Sequence, residues 1–209
     1  MGRSELTITD GLPTRNDLNE AAVVSARAFH TDPFFEYLAP PAMLRSRGMN
    51  LFMRTMLGNL GPLGLIKVAR RGERIAGVAA WVAPGGYPFP ARQQVAQTAG
   101  IARAFAPRPS MAPPGFRYMR SIEKHHIHEP HWYLAVLTTD PEQQGTGVGS
   151  ALLAPVLEQC DREGLVAYLE TQKESNLTWY GRFGFEVVEK LEPLPQGPAV
   201  WTLRRPSKP

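Results

Sequence analysis

Apolar positions along this 209-residue chain change period several times, and each change predicts an element. Leu6 to Thr9 alternates as a short strand does, and the turn sequence DGLP ends it. From about Asn16 to Phe29, Ala22, Val23, Ala26 and Phe29 fall on one helical face. HTDPFFEYLAPP breaks that period, and Met43 to Leu60 resumes it as a second helix. Leu65 to Arg70 and Arg74 to Val82, separated by the Gly-containing turn RRGE, predict an antiparallel hairpin. After GGYPFP a helical stretch runs from about Gln93 to Phe105, the Pro-rich APRPSMAPPG predicts a loop, and Phe116 to His126 is helical again.

From His131 onward the pattern predicts a strand (131 to 139), a Gly-rich loop, a helix (148 to 163) and a strand from Val166 to Thr171. A short helix from Leu177 to Phe183 and strands from Phe185 to Glu189 and Ala199 to Leu203 complete the chain. No segment repeats. The order predicts one mixed α/β domain over residues 1–209, with a βαβ unit near its end.

Composition narrows the setting. A hydrophobic content of 43% is enough for a full core. No run of about 18 apolar residues appears, and MGRSELTITDG has no apolar signal segment, so a cytoplasmic protein with no membrane partner is expected. Cys160 is the single cysteine, set in the apolar LLAPVLEQC, which predicts a buried thiol and leaves no disulfide or Cys-based zinc site within one chain. The net charge of +4 is dispersed apart from a tail ending RRPSKP, and without a basic-aromatic motif no nucleic-acid partner is expected. Nothing in the pattern sets an oligomeric state.

The chemistry concentrates in DPEQQGTGVGSALL, where Gly145, Gly147 and Gly149 lie between a strand and a helix. Unpaired N–H groups and the positive end of the dipole at a helix start favour an anion. A tight turn before a helix that starts near Ser150 is the plain alternative. A P-loop is excluded because no Gly-Lys-Ser/Thr follows. GTGVGS is close to a dinucleotide fingerprint, with Ser150 for its third glycine and Glu170 near the end of the next strand. Against that, TTDPEQQ is a long polar connection, and about 60 residues remain, too few for further βαβ units.

Gln144-Gly145-Thr146-Gly147-Val148-Gly149 is also Gln-x-x-Gly-x-Gly, which resembles the acyl-CoA-binding motif of the GCN5-related N-acetyltransferases. HWYLAVLTTDPEQQGTGVGSALL resembles that family's central strand, loop and helix, and YLETQKESNLTWYGRFGFEVVEK its next strand, short helix and following strand. AAWVAPGG and AFHTDPFFEYLAP are similar to the puromycin N-acetyltransferase-like branch. The resemblance implies a mixed, mostly antiparallel, splayed central sheet flanked by helices. It also implies acetyl-CoA as co-substrate and direct attack by a primary amine of a small molecule in a ternary complex; no metal is expected, because Pro130 ends the helix before the histidines of HHIHEPH can share a face.

Residue by residue, the resemblance puts the main chain of Leu137 and Thr139 along the pantetheine arm, and Gln144, Gly145, Thr146, Gly147, Val148, Gly149 and Ser150 around the phosphates. It makes Tyr180 a proton donor to the leaving thiolate, the plain alternative being a helix aromatic packed with Trp179 and Phe183. Asn176 matches a contact to the CoA arm or an N-cap of the short helix. Phe34, Phe35 and Tyr37 fall where the family receives its acceptor, or close the core. The general base stays open among His131 and Tyr133, which share a strand face with Leu137 and Thr139, and the carboxylates of Glu123, Glu129 and Glu170. In HHIHEPH, His125, His126, His128 and His131 are expected as solvated helix-end residues, with one of them lining the acceptor site. Two other readings are a CoA-binding sensor without turnover and a dinucleotide-binding oxidoreductase.

Overall fold

The computed structural model describes residues 5–104 and 109–207. Seven strands form one sheet in the order β1-β2-β3-β4-β5-β7-β6. They are β1 (Leu6–Asp10), β2 (Gly64–Arg71), β3 (Arg74–Val82), β4 (His131–Thr139), β5 (Val166–Thr171), β6 (Glu186–Leu191) and β7 (Val200–Arg205). Neighbours are antiparallel except β4 and β5, which run parallel, so the sheet is mixed and mostly antiparallel as expected. A doubly wound dinucleotide fold needs a mainly parallel sheet, and this topology removes that reading.

The helices are α1 (Arg15–Ala28), α2 (Pro33–Leu38), α3 (Ala42–Leu60), α4 (Ala91–Ala104), α5 (Ala112–His125), α6 (Val148–Glu163) and α7 (Ser175–Gly181). A capping box starts α1: Thr14 Oγ1 accepts from the Asp17 amide, and the Asp17 carboxylate accepts from the Thr14 amide. Its buried face carries Ala21, Ala22, Val24, Ser25 and Ala26, whereas Val23, expected on that face, is exposed. The helix is rotated because Ser25 meets Thr138 of β4 at 3.1 Å between hydroxyl oxygens. One side of the sheet packs on α1 and α3, with Leu57, Leu60, Val68, Val78 and Val136 at its centre. On the other side α6 places Leu152, Leu153 and Val156 against Trp81, Leu134 and Leu169. Lying between both layers, β3 is buried from Ile75 to Val82, which accounts for its unbroken apolar run.

Two elements depart from the expected pattern. PFFEYL forms α2, because Asp32 caps it by accepting from the Phe34 amide and Pro33 has no N–H to satisfy in the first turn. Six residues are too few to show a helical period. Similarly α5 starts at Ala112 inside the expected Pro-rich loop, since Pro113 and Pro114 occupy a first turn whose amides need no partner. Phe105 and residues 106–108 of that region lie outside the described residues. Among the described residues no helix is long and apolar enough to cross a membrane.

Candidate active site

The parallel ladder between β4 and β5 holds for three pairs, His131 with Val166, Trp132 with Ala167 and Tyr133 with Tyr168, and then the strands part. On its other side β4 carries a bulge: Ala80 faces Val136 and Trp81 faces Leu134, which leaves Ala135 without a partner on β3. From Leu134 onward the β5-facing main chain of β4 is therefore free for a ligand. A cleft of about 760 Å³ opens there, lined by β4 from Tyr133 to Thr139, by the Gly-rich loop and the start of α6, and by Glu170, Asn176, Trp179 and Tyr180 across the gap.

The three glycines serve two purposes. Gly145 and Gly147 have φ of +73° and +87°, and a Cβ on either would enter open space rather than protein, so conformation requires glycine there. Gly147 is the N-cap of the 16-residue α6 and has no side chain with which to cover the first amides of that helix. Gly149 answers to packing instead, because a Cβ would meet Trp179 Cζ2 at 3.1 Å. The open amides, the positive helix end and the space beside the loop together fit a pyrophosphate.

Leu137, Thr139, Gln144, Gly145, Gly147, Val148, Gly149, Ser150, Asn176, Tyr180, Phe34, Phe35 and Tyr133 all line this cleft. Thr146, Tyr37 and His131 are not part of its wall. Thr146 turns back, donating from Oγ1 to the Gln143 carbonyl at 2.7 Å, and Arg71 reaches it from β2. Tyr37 packs against the cluster formed by Phe34, Phe35 and Tyr118. The N-cap alternative for Asn176 is also removed, since α7 begins one residue earlier and Asn176 Nδ2 donates to Thr171 Oγ1 at 3.0 Å.

Tyr180 is 7% exposed and packs edge-on to Trp179 and Phe185. Burial pushes its phenol well above the usual range, so the hydroxyl keeps its proton at any pH the protein meets. Packing and a position on the cleft are thus both satisfied by this ring. The same holds for Phe34, which stacks on Tyr118 at 4.3 Å, and for Phe35, edge-on to Phe29.

Beyond Tyr133 the cleft becomes apolar, walled by Phe29, Phe35, Phe52, Met53, Met56 and Ile122, with two carboxylates in it, Asp32 and Glu170. Asp32 is 4% exposed, and burial raises its carboxyl to about 6 against the opposing pull of the Phe34 amide. Glu170 meets His126 Nδ1 at 3.2 Å, His126 Nε2 meets His131 Nε2 at 2.9 Å, and His131 Nδ1 donates to the Glu129 carbonyl at 2.6 Å. Both rings are buried, so the expectation of solvated helix-end histidines fails for His126 and His131 while His125 and His128 are exposed. Among the described residues no group of three or more His, Cys, Asp or Glu side chains is arranged to hold a metal ion.

Residues 30–185 match the acetyltransferase (GNAT) family. The chain belongs to that family. An uncharacterised N-acetyltransferase of Schizosaccharomyces pombe is 39% identical over 54 residues, or 26% of this chain, and the match spans 22% of that relative's length. Among solved structures, one described as histone acetyltransferase HPA2 and related acetyltransferase, from Corynebacterium glutamicum, superposes with a TM-score of 0.69 at 24% identity, covering 97% of each chain. An agmatine N-acetyltransferase superposes with a TM-score of 0.62 at 14% identity, over 96% of this chain and 98% of that one. These structural likenesses carry the GNAT fold to this chain.

Sequence reasoning named Glu170 without its partners and missed Asp32 and Tyr87, which stacks on His126 with ring centroids 3.7 Å apart. Asp-Pro before aromatics was a legible cap signal. Tyr87 sits in a Gly- and Pro-rich connection that carries no periodicity at all.

Proposed function

We propose that the chain is a cytoplasmic acetyl-CoA-dependent N-acetyltransferase, one domain over residues 1–209, acting on a primary amine of a small molecule with an apolar body. The carrying observation is the parting of β4 from β5, which leaves free strand main chain, open helix amides and a buried phenol around one cleft. When bound, acetyl-CoA supplies an acetyl thioester. Leu137 and Thr139 offer main-chain groups to its amide-bearing arm as a further strand would. The amides of Gln144, Gly145 and Gly147 to Ser150 hold its pyrophosphate, and Asn176 contacts the arm from α7.

Tyr180, on the cleft wall, donates its hydroxyl proton to the departing sulfur. Phe34, Phe35 and Tyr133 line the acceptor end, where apolar walls desolvate the amine's body and the carboxylates attract its charge. The likeness of AAWVAPGG and AFHTDPFFEYLAP to the puromycin-modifying branch supports a small-molecule acceptor of this kind, without naming it.

Two assays test the reading together. Acetyl-CoA at about a hundred times its dissociation constant is expected to stabilise the protein by about 2.7 kcal/mol in a thermal melt. Amines with apolar bodies are expected to release free thiol with matching acetylated product. Binding without turnover on any amine returns the sensor reading, and no binding at all removes both.

A further inference from the structure

Thr146 sits inside the Gly-rich motif yet is not part of the cleft wall, and its polar groups are all engaged elsewhere. Its amide donates to the Gln143 carbonyl at 3.3 Å, and its hydroxyl donates to the same oxygen at 2.7 Å. A guanidinium can only donate, so the contacts from Arg71 complete the set: Nη2 gives hydrogens to the Thr146 carbonyl at 3.4 Å and to its hydroxyl oxygen at 3.3 Å. Amide, hydroxyl and carbonyl of one threonine are thus all held.

The glycines on either side of it cannot hold themselves. Gly145 and Gly147 have φ of +73° and +87°, and a Cβ on either would meet nothing within 4 Å, so no side chain of theirs could brace the turn. A turn built on glycine has wide conformational freedom and loses much entropy when a ligand orders it. Fixing Thr146 between them removes that freedom before the ligand arrives. Arg71 ends β2, where the ladder to β3 closes on the pair Arg71 and Arg74, so its guanidinium reaches the loop from the sheet. A second grip lies upstream, where Arg27 of α1 pairs with Asp140 at 3.2 Å and with Glu142 at 2.7 Å.

We infer that Arg71 and Thr146 are positioning residues for acetyl-CoA: together they hold the Gly145 to Gly147 turn in the shape that leaves the neighbouring amides open to the pyrophosphate. The inference rests on the phosphate placement proposed above. It also accounts for a motif position that the cleft wall leaves out. Neither side chain is on that wall, so both act by ordering the loop. Their effect therefore falls on a ligand that has the pyrophosphate and spares one that lacks it.

The experiment compares acetyl-CoA with S-acetylpantetheine, which has the thioester and the arm but no pyrophosphate, by isothermal titration without any amine. The parent is set beside Arg71→Met, Thr146→Val and Arg74→Met, each shown folded by thermal melting. Arg74 is exposed and pairs with Arg71 across the hairpin, so its loss removes the same unit charge nearby and controls for charge alone. Arg71→Met is expected to bind acetyl-CoA about tenfold more weakly, the scale of ordering one residue of backbone on binding, and Thr146→Val several-fold. Arg74→Met should bind as the parent does. S-acetylpantetheine should bind every variant as it binds the parent, and combining Arg71→Met with Thr146→Val should lose less than the product of the single losses. Thr146→Val at parent affinity, an Arg74→Met loss equal to that of Arg71→Met, or equal losses on both thioesters would overturn the inference. A parent that binds S-acetylpantetheine as tightly as acetyl-CoA overturns the phosphate placement itself, an outcome read without any variant.

Discussion

Trp179 of α7 lies so close to Gly149 of α6 that a methyl group on the glycine would come within 3.1 Å of the indole. One contact thus sets the distance between the phosphate end of the cleft and the helix that carries Tyr180. Gly149→Ala is expected to push Trp179 outward and to weaken acetyl-CoA binding several-fold, with a stability loss of about 1 kcal/mol. Isothermal titration beside a denaturant melt checks both, and unchanged affinity would show that the α6 to α7 spacing is irrelevant to the ligand.

Gly147→Asp adds backbone strain at φ +87° and a negative charge beside the open amides. The strain costs about 1–2 kcal/mol of stability. Acetyl-CoA affinity is expected to fall at least about tenfold, roughly 1.4 kcal/mol. Gly164→Asp is the control, since φ there is +64° at the far end of α6, away from the cleft. That variant should lose comparable stability and no affinity.

Tyr180→Phe keeps the ring against Trp179 and Phe185 and removes only the hydroxyl. Stability and acetyl-CoA affinity should change little. The maximal rate is expected to drop about a hundredfold or more at saturating acetyl-CoA between pH 6 and 9. A rate within a few-fold of the parent would make Tyr180 a packing residue.

Asp32 gives a prediction about stability alone. Its carboxyl is raised from 3.8 in the open chain to about 6 in the fold, so folding favours the protonated form. That contribution is present below about pH 4 and is lost as pH rises through 6, at a cost on the order of 3 kcal/mol. Asp32→Asn retains an oxygen for the Phe34 amide and removes the charge. It should raise the melting temperature at pH 8 and have little effect at pH 4. An equal shift at both pH values would mean that the carboxylate is not desolvated.

What the sequence made legible is what one stretch of chain encodes by itself. Residues 131 to 181 hold a strand, a Gly-rich loop, a helix, a second strand and a short helix in unbroken order, and Leu137, Thr139, Asn176, Tyr180 and most of the Gly-rich loop were named from them. What it concealed needs the fold to close. Glu170 and His126 are 44 residues apart and meet only when the fold brings the residue after α5 beside β5. The histidine run looked like a solvated helix end because strand alternation alone does not say that the acid of β5 waits beside it. Prolines at 113 and 114 read as loop because their tolerance in a first turn depends on where the helix starts, which no local period marks.

The central claim is that acetyl-CoA lies between β4 and β5 with its phosphates at the start of α6. Amide hydrogen exchange with and without acetyl-CoA addresses that location directly. The account predicts new protection at Leu137 to Thr139 and at Gly145 to Ser150, with smaller changes along α7. Binding accompanied by protection elsewhere, and none in those two segments, would contradict it.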